Sequence, residues 1–250
     1  MYPTSTSCGE IGLILHGIMD NVIKYTKEGT FIEVGANDGK TGSFTYNLAA
    51  IGWTGINIEP IPHLFNECVE NHKSHKNVTN LNCGIGEKNE EVEIYDAGTL
   101  STIDEETYST YKTMDGFKNM CKENKKYKIQ IKKLDNILVE NNINKINLLV
   151  IDVEGYEEKV LSGFDIEKYK PEIIIIEIGD QKPEFVKVEN MREKFKRTRK
   201  YLKEKKYSLL VNDVVDNVYI RNDIFDTLNI DFKKIVRSII KYPQFDDTKI

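Results

Sequence analysis

Cysteine is scarce in this chain: four in 250 residues, at positions 8, 68, 83 and 121, with no C-x-x-C pair. That spacing argues against a disulfide framework or a zinc ribbon, and it suits a reducing compartment, so a cytoplasmic setting is expected. Long apolar runs are missing as well. The longest, such as 173–176, extend for only a few residues, against the roughly 20 that span a bilayer. No basic segment precedes an apolar stretch near residue 1, so no signal peptide is expected. Internal repeats and Pro- or Gly-rich linkers are absent, and the length by itself allows one to two domains. Positive charge is not in excess either. Lys and Arg number 35 against 40 Asp and Glu, a net charge of −5, so a phosphate polymer is not the obvious partner by global charge.

What is present reads as soluble and globular, with 40% hydrophobic and 30% charged residues. A chain of this size buries about 70–75% of its unfolded surface and needs no covalent staple. Short β-rich runs alternate with helical stretches. An apolar run at 31–34 ends at Gly35, and Thr41 or Ser43 can cap a helix to about residue 50, with Gly52 just past its end. Strands are expected at 54–58 and 78–82, with a helix at 62–72 between them. Residues 91–95 alternate apolar and polar, the sign of a half-exposed strand. Residues 98–128 are polar and irregular, with a weak helical pattern near 106–122. A helix at 134–140 precedes a near-continuous apolar run at 146–153, expected to be a central parallel strand. A helix at 155–162, a buried strand at 172–178, a long charged helix at 186–206 and a hairpin from 207–211 and 217–220 complete the order. This alternation predicts an α/β fold with a doubly wound sheet. The expected layout is an N-terminal helical segment (1–29), the main domain (30–222), and a C-terminal helix and tail (223–250).

The strongest functional signal is F-I-E-V-G-A-N-D-G-K-T-G-S at 31–43. A strand feeds a glycine-bearing turn that opens into a helix, where backbone approach is close and unpaired N–H groups face a ligand. The spacing is Gly35-x-Asn37-x-Gly39, not G-x-G-x-x-G, which weakens a dinucleotide reading. Glu33 before the turn repels phosphate and suits a cationic ligand. Glu59 ends the second strand, 20 residues after Gly39, where nucleoside sites place an acid on the ribose hydroxyls. Carboxylates flanking a loop with no phosphate-binding lysine favour a positively charged nucleoside without phosphate. S-adenosylmethionine fits that description.

The blocks F-I-E-V-G-A-N-D-G (31–39), N-I-E-P-I-P-H-L-F (57–65), K-L-D-N-I-L (133–138), N-L-L-V-I-D-V-E-G-Y-E (147–157) and P-E-I-I-I-I-E (171–177) together resemble the FkbM family of S-adenosylmethionine-dependent methyltransferases. The resemblance covers about residues 30–180. It implies a Rossmann-like class I methyltransferase fold: a seven-stranded, mostly parallel sheet with a terminal antiparallel hairpin. It implies methyl transfer to oxygen, often on a sugar or another small hydroxylated molecule, and hence a glycan or small-molecule acceptor. By motif position, Glu33, Gly35, Asn37, Gly39 and Ser43 would surround the methionine part of the cofactor, with Asp38 and Asp152 in the same binding set. Glu59 would hold the ribose and Cys83 would lie by the adenine. One departure stands out: the family commonly has a lysine two residues before the D-V-E-G aspartate, and here it is Val150.

Methyl transfer to a hydroxyl needs alignment and a base for the departing proton. Asp152 is the first candidate base and Glu154 the second. Asp152, Glu177 and Asp180 are also a candidate all-oxygen site for Mg²⁺. Cys68, His72 and His75 share one helix face, as a zinc site requires, with no fourth ligand evident, and no metal is assigned. His63 follows the Glu59 strand end, where it could line the site, and is read first as a packing or capping residue. Tyr108, Tyr111, Phe117 and Tyr127 mark 98–128 as a candidate acceptor lid. From Lys182 to Lys206, eleven Lys and Arg stand against four Asp and Glu, a local basic face that could attract RNA. Two other readings therefore stay open: an RNA cap or ribose methyltransferase, and a non-catalytic nucleoside-binding module, the latter prompted by Val150.

Overall fold

The computed structural model describes residues 28–121, 125–180, 185, 187–212, 215–228 and 231. The helical segment expected before residue 28, Cys8, and the tail from residue 232 lie outside the described residues.

Seven strands form the main sheet in the order β3-β2-β1-β7-β8-β10-β9. They are β1 (Thr30–Val34), β2 (Thr54–Ile58), β3 (Val78–Leu81), β7 (Leu148–Ile151), β8 (Ile173–Glu177), β9 (Tyr207–Asn212) and β10 (Asp216–Arg221). The first five of these are mutually parallel, and β10 runs antiparallel to both β8 and β9. The expected doubly wound, mostly parallel sheet with its terminal antiparallel hairpin is the fold observed.

The apolar runs are continuous because both faces of the sheet are covered. Phe31, Leu148, Val150, Ile173 and Ile175 enter one core cluster, while Ile32, Leu149, Ile151, Ile174 and Ile176 enter another. Successive side chains of a strand point to opposite faces, so helices on both sides leave no polar position in the centre. Two exceptions lie side by side: Glu33 is the register partner of Asn57 on β2 and of Val150 on β7.

Between β3 and β7 the chain builds a second sheet of order β4-β6-β5, from β4 (Gly84–Ile85), β5 (Glu90–Tyr95) and β6 (Lys126–Lys132). The half-exposed strand expected at 91–95 is β5, and it belongs to this small sheet. Glu91 and Glu93 face Gln130 and Lys128 across it, a pairing of opposite or neutral groups that suits an exposed face. The helix Glu105–Thr113 leads from β5 toward β6. Asp104 caps it, accepting hydrogen bonds from the Thr107 N–H at 2.8 Å and the Thr107 hydroxyl at 2.7 Å.

Order reverses between β1 and β7: the chain winds outward through β2 and β3, then crosses back. Open α/β sheets bind ligands beyond the strand carboxyl ends at such a switch point.

Candidate functional site

A cavity opens at that switch point, enclosing about 1080 Å³ including its mouth. The loops after β1, β2 and β7 form its walls. Gly35 is where the first and last of these touch. Its φ is +86° and a Cβ there would lie 1.7 Å from the Asp152 carbonyl oxygen, so only glycine lets the two turns meet. Asn37 follows in the left-handed region, with φ 51°.

Of the residues expected around the cofactor, Glu33, Gly35, Asn37, Ser43, Glu59, Cys83 and Asp152 line the cavity, whereas Asp38 and Gly39 do not. Asp38 turns its carboxylate to its own loop, accepting from the Lys40 N–H at 2.8 Å and from the Thr41 N–H and hydroxyl at 2.6 Å. Those donors favour the charged form and hold its carboxyl below the ordinary range, against a burial contribution that pushes the other way. Gly39 packs the loop on the helix Pro62–Asn71, where a Cβ would come within 2.5 Å of the Cys68 sulfur. The same helix end grips the loop through its carbonyls. The Asn71 amide donates to the Asp38 oxygen at 2.8 Å and the His72 Nε2–H donates to the Gly39 oxygen at 2.7 Å. His72 Nδ1 then accepts from His75 at 3.0 Å, while the Cys68 thiol donates to Asn80. The zinc grouping of Cys68, His72 and His75 therefore does not form: the imidazoles are spent on each other and on the loop.

Glu33 is buried at 4% exposure. Its carboxylate accepts from the Ser43 hydroxyl at 2.9 Å, the Thr45 hydroxyl at 2.6 Å and the Phe44 N–H at 3.3 Å. Burial pushes its carboxyl up to about 7 in spite of those donors. Ser43 in turn accepts from the Thr45 and Tyr46 N–H groups, each at 3.1 Å. It therefore braces the start of the helix Tyr46–Ala50 from two residues ahead of the N-cap, which is Thr45 and not the Thr41 or Ser43 expected. Val150, the register partner of Glu33, gives the cavity an apolar wall where the family commonly has a lysine.

Glu59 is fixed by main chain alone. One carboxylate oxygen accepts from the Asn37 N–H at 2.9 Å and the other from the Ile61 N–H at 2.7 Å. A carboxylate offers about four acceptor positions, so each oxygen keeps capacity for a ligand hydroxyl. Burial pushes this carboxyl up to about 7 as well. Beyond it the wall turns apolar with Ile58, Leu64, Cys83, Ile85 and Ile94, and burial raises the Cys83 thiol to about 11. An acid able to take a diol beside an apolar slot fits an adenosine, and the cationic half of S-adenosylmethionine meets no lysine or arginine among the cavity-lining residues.

At the other end stand Asp152, exposed, and Glu154, buried. Their carboxylate oxygens and one of Glu177 lie within 4.8 Å of one another. Glu177 is raised well above the ordinary carboxylate range, first by burial and then by Glu154 and Asp152. Asp180, expected with Asp152 and Glu177 as a cation ligand, is elsewhere. Both of its oxygens accept from Arg199, at 2.8 Å for the Nη2–Oδ1 bond, and Arg199 also reaches Asn217 and the Tyr219 hydroxyl. The expected all-oxygen set is therefore not assembled as drawn.

Three contacts at this end were not legible in the sequence. The Tyr111 hydroxyl donates to the Glu154 carboxylate, the Thr102 hydroxyl donates to the Glu154 carbonyl at 2.7 Å, and Thr107 fills the space beside Gly155. The four aromatics expected to line an acceptor lid do not line the cavity. Tyr108 and Tyr111 are core residues at 2% exposure, Phe117 packs edge-on to Tyr111, and Tyr127 is a β6 residue beside Lys125. The cavity wall from this segment is instead Gly98, Thr99 and 101–103. His63 lies outside the main cavity, its Nδ1 3.9 Å from the Asp96 carboxylate.

The helix Glu189–Glu204 carries most of the basic run. Its charges are answered: Lys194 by Asp104, Arg197 by Glu158, Lys196 by Glu193 and Arg199 by Asp180, with Lys205 just beyond it paired to Glu167. Four acids of neighbouring elements, Asp104, Glu158, Asp180 and Glu167, thus offset part of the local excess that pointed to RNA. Among the described residues no helix is long and apolar enough to cross a membrane.

"Methyltransferase 1" of Beauveria bassiana is 26% identical over 152 residues, covering 56% of this chain. The matched region spans 61% of that relative's length. Among solved structures, the Methanococcus jannaschii fibrillarin pre-rRNA processing protein is similar with a TM-score of 0.44 at 14% identity, covering 79% of this chain and 68% of that one. The METTL16 MTase domain gives a TM-score of 0.45 at 10% identity, covering 84% and 66%. The family model for the methyltransferase FkbM domain matches residues 33–209. With that match over most of its length, the chain belongs to the FkbM family of S-adenosylmethionine-dependent methyltransferases.

Proposed function

We propose that this protein is an O-methyltransferase acting on a hydroxyl of a sugar, a glycan or another small molecule, in a cytoplasmic setting. The observation that carries the proposal is one cavity with two unlike ends: an amide-held Glu59 beside an apolar slot, and Asp152 with Glu154 across from it. Glu59 takes the ribose diol, Cys83 and Ile85 flank the adenine, and Glu33, Gly35, Asn37 and Ser43 border the methionine part. Asp38 and Gly39 contribute from behind by shaping the loop. When bound, S-adenosylmethionine supplies an electrophilic methyl on a sulfonium, so that an acceptor oxygen bonds to carbon as the carbon–sulfur bond breaks. Asp152, the exposed member of the carboxylate group, receives the acceptor's hydroxyl proton. The cavity walls hold the acceptor in line, which is the larger part of the work in a displacement of this kind.

Calorimetry with S-adenosylhomocysteine and with NAD tests the cofactor class: the first is expected to bind and the second not, and the reverse result overturns the assignment. A labelled-methyl assay across sugars, glycans, nucleosides and capped RNA then identifies the acceptor. Parallel runs with added Mg²⁺ and with EDTA decide whether turnover uses a divalent cation.

A further inference from the structure

The crossover segment at 98–113 touches the loop 152–155 at three separate places. The Thr102 hydroxyl donates to the Glu154 carbonyl at 2.7 Å. Thr107 occupies the volume above Gly155, where a Cβ would come within 2.4 Å of its hydroxyl oxygen. The Tyr111 hydroxyl reaches the Glu154 carboxylate. All three are buried, Thr102 and Thr107 completely. What they hold is an unusual backbone. Glu154 has φ 52° and Gly155 φ 92°, and a non-glycine residue in that region persists only where its surroundings over-determine it. From the other side the Glu157 carboxylate accepts the Gly155 N–H at 3.0 Å.

The holder is itself anchored. Lys194 bonds Asp104 at 2.7 Å and Asn190 bonds Glu106 at 2.6 Å, tying the helix Glu105–Thr113 to the helix Glu189–Glu204. Tyr111 packs against Phe117 and Phe185. This is a fixed post and not a flap over the cavity.

We propose that Tyr111 is a positioning residue for methyl transfer, fixing Glu154 in its left-handed conformation beside Asp152 so that the crossover helix acts as part of the reactive loop. The proposal rests on the assignment of chemistry to that loop. The groups around Glu154 include Asp152 and Glu177 within 4.8 Å, Tyr111 from the crossover helix and the Cys121 thiol within electrostatic reach, while Glu157 on the next helix acts on Tyr111 and Lys194 acts on Glu157.

The test compares Tyr111→Phe, Glu154→Ala and the double variant, with Asp152→Asn as control. Each is assayed by labelled-methyl transfer to the acceptor found in the panel, with kcat and KM separated. Tyr111→Phe is expected to lower kcat about tenfold with KM little changed, since the ring and its packing remain. The double variant is no slower than Glu154→Ala alone, because Tyr111 acts only through Glu154. If Tyr111→Phe slows the Glu154→Ala enzyme by the same factor again, or raises KM in place of lowering kcat, the positioning role is wrong. An enzyme that Asp152→Asn inactivates and Tyr111→Phe leaves unchanged sinks this proposal alone. Full turnover in Asp152→Asn sinks the assignment beneath it. Should Tyr111→Phe fail to fold, Thr102→Val removes the other hydroxyl on Glu154, and its kcat is expected to fall in the same way; an unchanged kcat there overturns the proposal.

Discussion

The two ends of the cavity hold their carboxylates by opposite means. At the end proposed for the nucleoside, Glu59 is bound by backbone N–H groups of Asn37 and Ile61, one from the neighbouring loop and one from two residues away. At the end proposed to be reactive, Glu154 is held by the side chain of Tyr111, 43 residues distant, and stands against Asp152 and Glu177 within 4.8 Å. Main-chain donors are set by the fold and survive side-chain change. A side-chain donor is a single replaceable group. The binding end is therefore expected to be robust and the reactive end fragile, and substitutions can probe that difference directly.

The largest effect is expected at Asp152. Asp152→Asn keeps shape and removes the proposed base, and should lower kcat by about 10²–10⁴, measured by labelled-methyl turnover, while S-adenosylhomocysteine affinity changes little by calorimetry. Next comes the seam between the two ends. Gly35→Ala places a Cβ against the Asp152 carbonyl and should destabilise the fold by about 3 kcal/mol, read as a lowered denaturant midpoint with unchanged slope. At the nucleoside end, Glu59→Ala should weaken S-adenosylhomocysteine binding by about 1–3 kcal/mol, with circular dichroism of the ligand-free protein little altered.

Burial raises carboxyl groups at both ends of the cavity. Glu33 and Glu59 are buried and pushed up to about 7 from the ordinary 4.5. A carboxyl whose folded value exceeds its unfolded value stabilises the fold fully below about pH 4.5, and that contribution is lost as pH rises through about 7. The ligand-free protein should therefore lose thermal stability between about pH 5 and pH 8, and Glu33→Gln or Glu59→Gln should flatten that slope in scanning calorimetry. The smallest effect is expected on the basic helix. Lys196 is exposed and paired to Glu193, and Lys196→Ala should change stability by no more than about 0.5 kcal/mol.

The same contrast governs what could be read from the residues in order. As strand-end positions, the glycine turn, Glu59 and Asp152 were legible because strand, turn and acid are consecutive, and most of the main strands were legible from their own apolar runs, whereas Val78–Leu81 carries only two apolar residues. Tyr111 was not, since its hydrogen bond to Glu154 crosses 43 positions and its ring reads as one more core aromatic. Asp180 looked like a cation ligand because its partner Arg199 lies 19 residues on, inside a run that reads as a solvated basic face. Asp38 looked like a ligand contact because nothing in its position distinguishes a carboxylate that faces a cofactor from one that closes its own turn. The strand Lys126–Lys132 did leave a signal, the alternation of Tyr127, Ile129 and Ile131, at the edge of a segment whose polar remainder masked it.

The most direct test of the account is mass-spectrometric mapping of the methylated product formed by the wild-type protein and by Asp152→Asn, with the same acceptor and S-adenosylmethionine. The account predicts one new methyl on an acceptor oxygen with wild type and almost none with the variant. A methyl on nitrogen or carbon, or equal product from both proteins, would contradict it.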